Sequence, residues 1–176
     1  MPFTAPVTRA TDFLVTAAIW NAEHVDNFNT AVMHLMVRKT ADESVVSSTV
    51  QQNDDVLFFA VAANEIWRFE LMLITTGTFD FAGQMTFPSG RIDGSAIATS
   101  GAGTIALTNL GSNSSPSLQW VARCDSTTVP RTHSVYGIFA NGGSAGNLQL
   151  QWAQGTSGAT ATIVKANSTL WAVRLA

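Results

Sequence analysis

A single cysteine, Cys124, leaves this chain without an intrachain disulfide or a cysteine-built metal cluster. Stability has to come from packing. Charge is scarce too: Asp, Glu, Lys and Arg make up 12% of the 176 residues, about half the roughly 25% of an average soluble protein. Nine basic and twelve acidic residues give a net charge of −3, which supplies no basic field, so nucleic acid is not an expected partner. No window approaches the roughly 18 uninterrupted apolar residues of a spanning helix, and no membrane insertion is expected. The start, Met1-Pro2-Phe3-Thr4-Ala5-Pro6, lacks the charged and apolar runs of a secretory signal, so synthesis in the cytoplasm is expected.

What replaces charge is Ser, Thr, Asn, Gln and Gly, a composition suited to surfaces covered by neighbouring subunits or facing neutral polar ligands. The charges that exist are uneven. Residues 1–94 hold 16 of the 21, and the rest of the chain keeps only Arg123, Asp125, Arg131, Lys165 and Arg174. The second half is the half that looks covered.

The length fits one main domain. Residues 1–12, with two of the five prolines, read as an extended arm. Thr16 then offers an N-cap hydroxyl ahead of Ala17 and Ala18, and no Pro or Gly interrupts until past Met36. Ala18, Val25 and Val32 share one heptad position, while Asn21, Phe28 and Leu35 share another three residues on, which forms an apolar seam. Two explanations stay open for it. A seam this short serves an oligomer, with Asn21 setting register, or it lays the helix on its own domain's sheet. The division expected is an arm and amphipathic α-helix over 1–37, for attachment and oligomerisation, followed by a β-domain over 38–176.

Beyond Arg38 the apolar period falls to two, which predicts strands. They are expected near 44–51, 56–62, 65–76, 80–87, 94–109, 117–124, 132–140, 147–154, 159–164 and 169–175. Turn signals separate them: Asn53-Asp54-Asp55, Ala63-Asn64, Pro88-Ser89-Gly90, Val129-Pro130, Asn141-Gly142-Gly143 and Ala166-Asn167 among others. Short strands at this spacing predict a mainly β chain folded as an antiparallel, jelly-roll-like β-sandwich or a barrel, the sandwich being preferred. Trp67, Phe69, Leu71 and Leu73 alternate with Arg68 and Glu70, and Leu148, Leu150 and Trp152 alternate with Gln149 and Gln151. The final strand, from Thr169, is apolar on nearly both faces and should be central or interfacial.

Candidate chemistry is thin. His24, His34 and His133 have no metal-ligand spacing. His133 with Ser134 and Asp125 evokes an acyl-transfer triad, but no strained nucleophile turn accompanies them. Asp54 and Asp55 fit a polar loop better than a calcium site, because the required Gly and Glu spacings are missing. Glu65 and Glu70 fall on opposite strand faces and cannot act as a glycosidase pair. The glycines of Ser100-Gly101-Ala102-Gly103-Thr104 lack a phosphate-loop context. No enzyme, cofactor or metal is expected. Of five tryptophans, Trp67, Trp120 and Trp152 fit core filling; Trp171 and Trp120 are the candidates for stacking on a glycan, should either be exposed beside Asn and Gln.

Several stretches carry a likeness: Thr16-Ala-Ala-Ile-Trp-Asn21 through Val25-Asp-Asn-Phe28, the run from Asp54 to Leu71, Phe87-Pro-Ser-Gly90, Leu150-Gln-Trp-Ala-Gln154 and Ser168-Thr-Leu170. Together they resemble a group of tailed-bacteriophage virion proteins of the tail-fibre, tail-tip or head-decoration type. That resemblance implies a homotrimer with an N-terminal attachment segment, located in the virion and contacting other virion proteins or a host surface glycan or protein. No shaft or repeat is visible between anchor and β-domain, which points to a short tip protein or a capsid decoration protein. A stand-alone, lectin-like carbohydrate-binding module is the alternative.

Overall fold

The computed structural model describes residues 16–21, 34–99, 105–113 and 117–176, with no side-chain description for 99 and 105–113. The chain divides into two units, Met1–His34 and Leu35–Ala176. In the first, α1 (Ala17–Trp20) starts as the sequence predicts: Thr16 is the N-cap and its hydroxyl accepts from the Ile19 N–H at 3.4 Å. Asn21 forms the C-cap of the described turn.

The second unit is strand throughout its described elements, the first of which begins at the boundary residue His34: β1 (His34–Arg38), β2 (Glu43–Val45), β3 (Gln52–Val61), β4 (Ile66–Gly77), β5 (Phe81–Thr86), β6 (Arg91–Thr99), β7 (Ile105–Asn113), β8 (Ser117–Ala122), β9 (Ser126–Ala140), β10 (Gly146–Gln154), β11 (Thr162–Val164) and β12 (Thr169–Arg174). They form two antiparallel sheets, as a β-sandwich requires. The larger runs β1-β12-β4-β9-β6-β7, with β11 beside β4 and β2 beside β11; the smaller runs β3-β10-β5-β8. β12 lies between β1 and β4, the interior position its two apolar faces predict.

Period-two alternation builds the core. Phe69, Leu71 and Leu73 of β4, Val135 and Phe139 of β9, and Leu170 and Ala172 of β12 turn inward from the larger sheet; Leu57, Phe59, Phe81, Met85, Leu118, Leu148, Leu150 and Trp152 do so from the smaller one. Each large side chain taken fully out of water contributes roughly 1.5–3 kcal/mol before conformational entropy is charged. Turn residues follow their chemistry: Asn64 and Asn167 hold φ of 63° and 71°, and Gly90 holds 90°. At one end the buried Asn141 side chain donates to the Ala62 carbonyl (2.6 Å) and the Ser144 carbonyl (2.8 Å) and accepts from the Ser89 hydroxyl, so three loops share one amide.

Four expectations need correction. Leu35 is not helical: it belongs to β1, where Leu35 and Val37 are half-buried against the core while His34, Met36 and Arg38 are exposed, so the period of two begins before Arg38. The β-domain therefore starts inside the 1–37 segment. Asn53-Asp54-Asp55 is not a turn but part of β3, bent by an irregularity in its register with β10. The run 94–109 is not one strand but β6 and β7, paired with each other. Pro130 lies within β9 rather than in a turn; the β4–β9 register slips between Thr75 and Gly77, and Pro130 has no partner in either ladder of β9, so its missing N–H is tolerated.

Candidate functional site

The outer face of the larger sheet should be polar by simple alternation, and only half of its central residues are. Three rows cross β12, β4, β9 and β6 in register. One is Val173, Arg68, Ile138 and Asp93; the next is Trp171, Glu70, Tyr136 and Ser95; the third is Thr169, Met72, Ser134 and Ile97. Met72 is 38%, Tyr136 41% and Ile138 37% exposed, large apolar side chains gathered in one place rather than scattered. The Arg68 guanidinium lies 5.9 Å from the centroid of the half-buried Trp171 ring, within cation–π range.

A shallow depression of about 420 Å³ opens at the centre of this face, lined by Arg68, Asp93, Gly94, Ser95, Tyr136, Gly137 and Ile138. Its floor is set by glycine. A Cβ on Gly137 would stand 2.5 Å from the Asp93 carbonyl oxygen, and one on Gly94 would stand 2.6 Å from that of Tyr136, so β6 and β9 approach closely only because both positions lack a side chain. Arg91 and Asp93 form an exposed ion pair at 2.8 Å on the rim, the kind of pair that adds little stability. The face thus presents aromatic and aliphatic area with donors (Arg68, Ser95, the Tyr136 hydroxyl) and acceptors (Glu70, Asp93) around it. That chemistry is contact and hydrogen bonding.

The residues singled out from sequence fall in different places. Trp171 is on this face; Trp120 is 5% exposed and turned into the core, packed against Phe81 with ring centroids 6.4 Å apart, so it cannot stack on a glycan. Alternation in β8 puts Trp120 on the same side as Leu118, which is why it is inward. Ala18 and Asn21 are exposed in the helical turn, whereas Val25, Phe28, Val32 and His24 lie outside the described residues, as does the stretch 100–104. Tyr136, Ile138, Asp93 and Ser95 were not recognised in the sequence. Apolar residues at consecutive positions from Val135 to Phe139 were the available signal, the same one that marked the last strand.

The described titratable candidates are held in ion pairs and hydrogen bonds. Asp54 is buried with Lys39: Lys39 Nζ lies 2.8 Å from Asp54 and 2.5 Å from Glu43, and Asp54 also accepts from the N–H groups of Val56 (3.0 Å) and Leu57 (2.8 Å). Burial works against the Lys39 charge, yet its bonds to Asp54 and Glu43 outweigh this and hold its pKa above the usual lysine value. His133 Nε2 is 2.7 Å from the Thr75 hydroxyl, which is 3.0 Å from Cys124 Sγ, and all three are buried. Burial pushes the Cys124 thiol up to about 11 and His133 down to about 4, leaving both neutral at ordinary pH. A thiol held neutral and out of reach of solvent is a poor nucleophile. Asp125 is turned to Arg131 at 2.8 Å, and that guanidinium holds its carboxyl below the usual range. Glu65 accepts from the Ala62 N–H, the Trp67 indole and Arg174, which places it on structure rather than opposite Glu70.

No protein-family model matches the chain, and no curated protein does. Among solved structures, the chain is similar to those described as infectious bursal disease virus Gt strain (10% identity, TM-score 0.19) and Gx strain (10%, 0.19), and to a mutant VP2 protein of that virus in derived T=1 particles (12%, 0.20). Each match covers 80% of this chain, which spans only 37–39% of the length of the chains matched. Superpositions this loose assign neither a family nor a function.

Proposed function

We propose that the chain is a non-enzymatic bacteriophage virion surface protein, a homotrimer held on the particle through its N-terminal segment, serving as a tail-tip or fibre component or as a capsid decoration protein. The observation that carries this reading is the exposed apolar face of the larger sheet, Met72, Tyr136, Ile138 and the half-buried Trp171, on a chain in which only 12% of residues are charged. An apolar centre rimmed by a few polar groups is the anatomy of a protein contact. The sequence likeness to tailed-phage virion proteins and the apolar heptad spacing of Ala18, Val25, Phe28 and Val32 support the same reading. Mass spectrometry of purified particles tests it. Hundreds of copies per particle make it a decoration protein, a few trimers make it a tail component, and absence from the particle refutes it.

A stand-alone carbohydrate-binding module is the second reading, favoured by Tyr136 in the depression beside Arg68 and Ser95, with Trp171 in the same cross-strand row. A monomer in solution that binds immobilised glycans through Trp171 would establish it at the expense of the assembly reading.

A further inference from the structure

The smaller sheet holds a second surface with a direction built into it. Each of its four strands contributes one side-chain amide to a single row on the outer face: Gln119 on β8, Gln84 on β5, Gln151 on β10 and Asn53 on β3, all matched in register. Gln119 Nε2 donates to Gln84 Oε1 (3.0 Å), Gln84 Nε2 to Gln151 Oε1 (2.5 Å), and Gln151 Nε2 to Asn53 Oδ1 (2.7 Å). Every amide therefore points the same way across the sheet. A chain of amides bonded head to tail polarises along its length and leaves unlike groups at its two ends. At β8 the Gln119 carbonyl oxygen has no donor among the described residues, and at β3 the Asn53 amide N–H has no acceptor among them.

Those ends coincide with the two edges of the sheet, since β3 pairs only with β10 and β8 only with β5 among the described strands. Four antiparallel strands also make β3 and β8 run in opposite directions, so a β3 edge laid beside a β8 edge pairs antiparallel and extends both the ladder and the amide row. β8, Ser117–Ala122, carries no charge and no proline to block such pairing, and its Val121, two residues from Gln119 on the same face, is 65% exposed. We infer that the smaller sheet is a homotypic, head-to-tail interface in which β3 of one copy adds to β8 of the next, with Asn53 donating to Gln119. A symmetric contact is disfavoured. Two β8 edges would set acceptor against acceptor, and two β3 edges would set donor against donor. Head-to-tail contacts close into a ring when the rotation allows, and that is independent of where the protein sits in a particle.

Site-directed cross-linking of the full-length protein tests this. Asn53→Cys and Gln119→Cys, both at surface positions, are purified separately, mixed and mildly oxidised; buried Cys124 serves as the background in the unmodified chain. The expected product is a 53–119 dimer in at least tenfold excess over 53–53 and 119–119 dimers, with the double variant running on to higher species. Equal amounts of the three dimers, an excess of either symmetric one, or no cross-link between folded variants would overturn the inference. Should either variant lose its native tryptophan fluorescence, Gln51→Cys with Val121→Cys reads the same register two residues along, under the same criterion.

Discussion

Lys39 and Asp54, fifteen residues apart, form an ion pair at 2.8 Å with side chains 2% and 0% exposed. The pair ties the strand bend that swallows Asp54 to the segment entering β2, and Glu43 completes it. Lys39→Met leaves the Asp54 carboxylate buried without a cation and should destabilise by about 3–5 kcal/mol, Asp54→Leu leaves Lys39 its bond to Glu43 and should cost less, and the double variant should cost less than the two losses added. Urea unfolding of the three variants measures it. Additive losses in the double variant would show that the two groups are not coupled.

His133 should make the fold acid-sensitive. Its pKa is about 4 in the folded chain against about 6.5 unfolded, so the unfolded state binds the proton more readily. The neutral side chain costs nothing above about pH 6.5, and stability is lost as pH falls from there towards 4. The difference corresponds to about 3 kcal/mol. Thermal unfolding between pH 7 and 4 should show a decline that His133→Gln flattens; equal slopes in both proteins would assign the acid sensitivity elsewhere.

Gly137→Ala should be costly although alanine is a small change. The added methyl would stand 2.5 Å from the Asp93 carbonyl oxygen and 3.0 Å from the Gly94 Cα, so β6 and β9 must separate. A loss of about 1–3 kcal/mol is expected. Gly143→Ala, with nothing within 4 Å of the new methyl, is the control and should shift stability by less than about 0.5 kcal/mol.

The apolar face predicts a loss of assembly without a loss of folding. Tyr136→Ala with Ile138→Ser removes the two exposed residues beside the depression, and truncation at the centre of a contact commonly costs 1–2 kcal/mol or more per residue. Incorporation into particles lacking the wild-type protein should fall at least tenfold while the far-ultraviolet spectrum is unchanged. Full incorporation would move the contact to another surface.

The heptad spacing of residues 18–32 predicts that Val25→Asp with Val32→Asp lowers the mass in solution and leaves the β-domain folded, because buried charge at both positions is incompatible with an apolar helix contact. Sedimentation equilibrium decides. An unchanged mass would return those residues to a role within one subunit.

How far the sequence reached depended on the range of the forces involved. Local ones were legible. The Thr16 cap, the left-handed Asn64 and Asn167, and the alternation that buries Phe69, Leu71, Leu73, Leu148, Leu150 and Trp152 are each decided within a few residues, by a hydroxyl, a φ preference or a period of two. Long-range pairing was not. Asp54 looked like a loop acid because its partner Lys39 meets it only when the strands assemble, and Leu35 looked helical because heptad spacing and strand alternation overlap over so short a run. Trp120 and Trp171 are alike in sequence, and only the side of the sheet each occupies buries one and half-exposes the other. The same holds for the surfaces. No spacing along the chain announces that Arg68, Asp93 and Tyr136 surround one depression, or that Asn53, Gln84, Gln119 and Gln151 share one row, because strand order and register across the sheets, not sequence separation, set which side chains become neighbours.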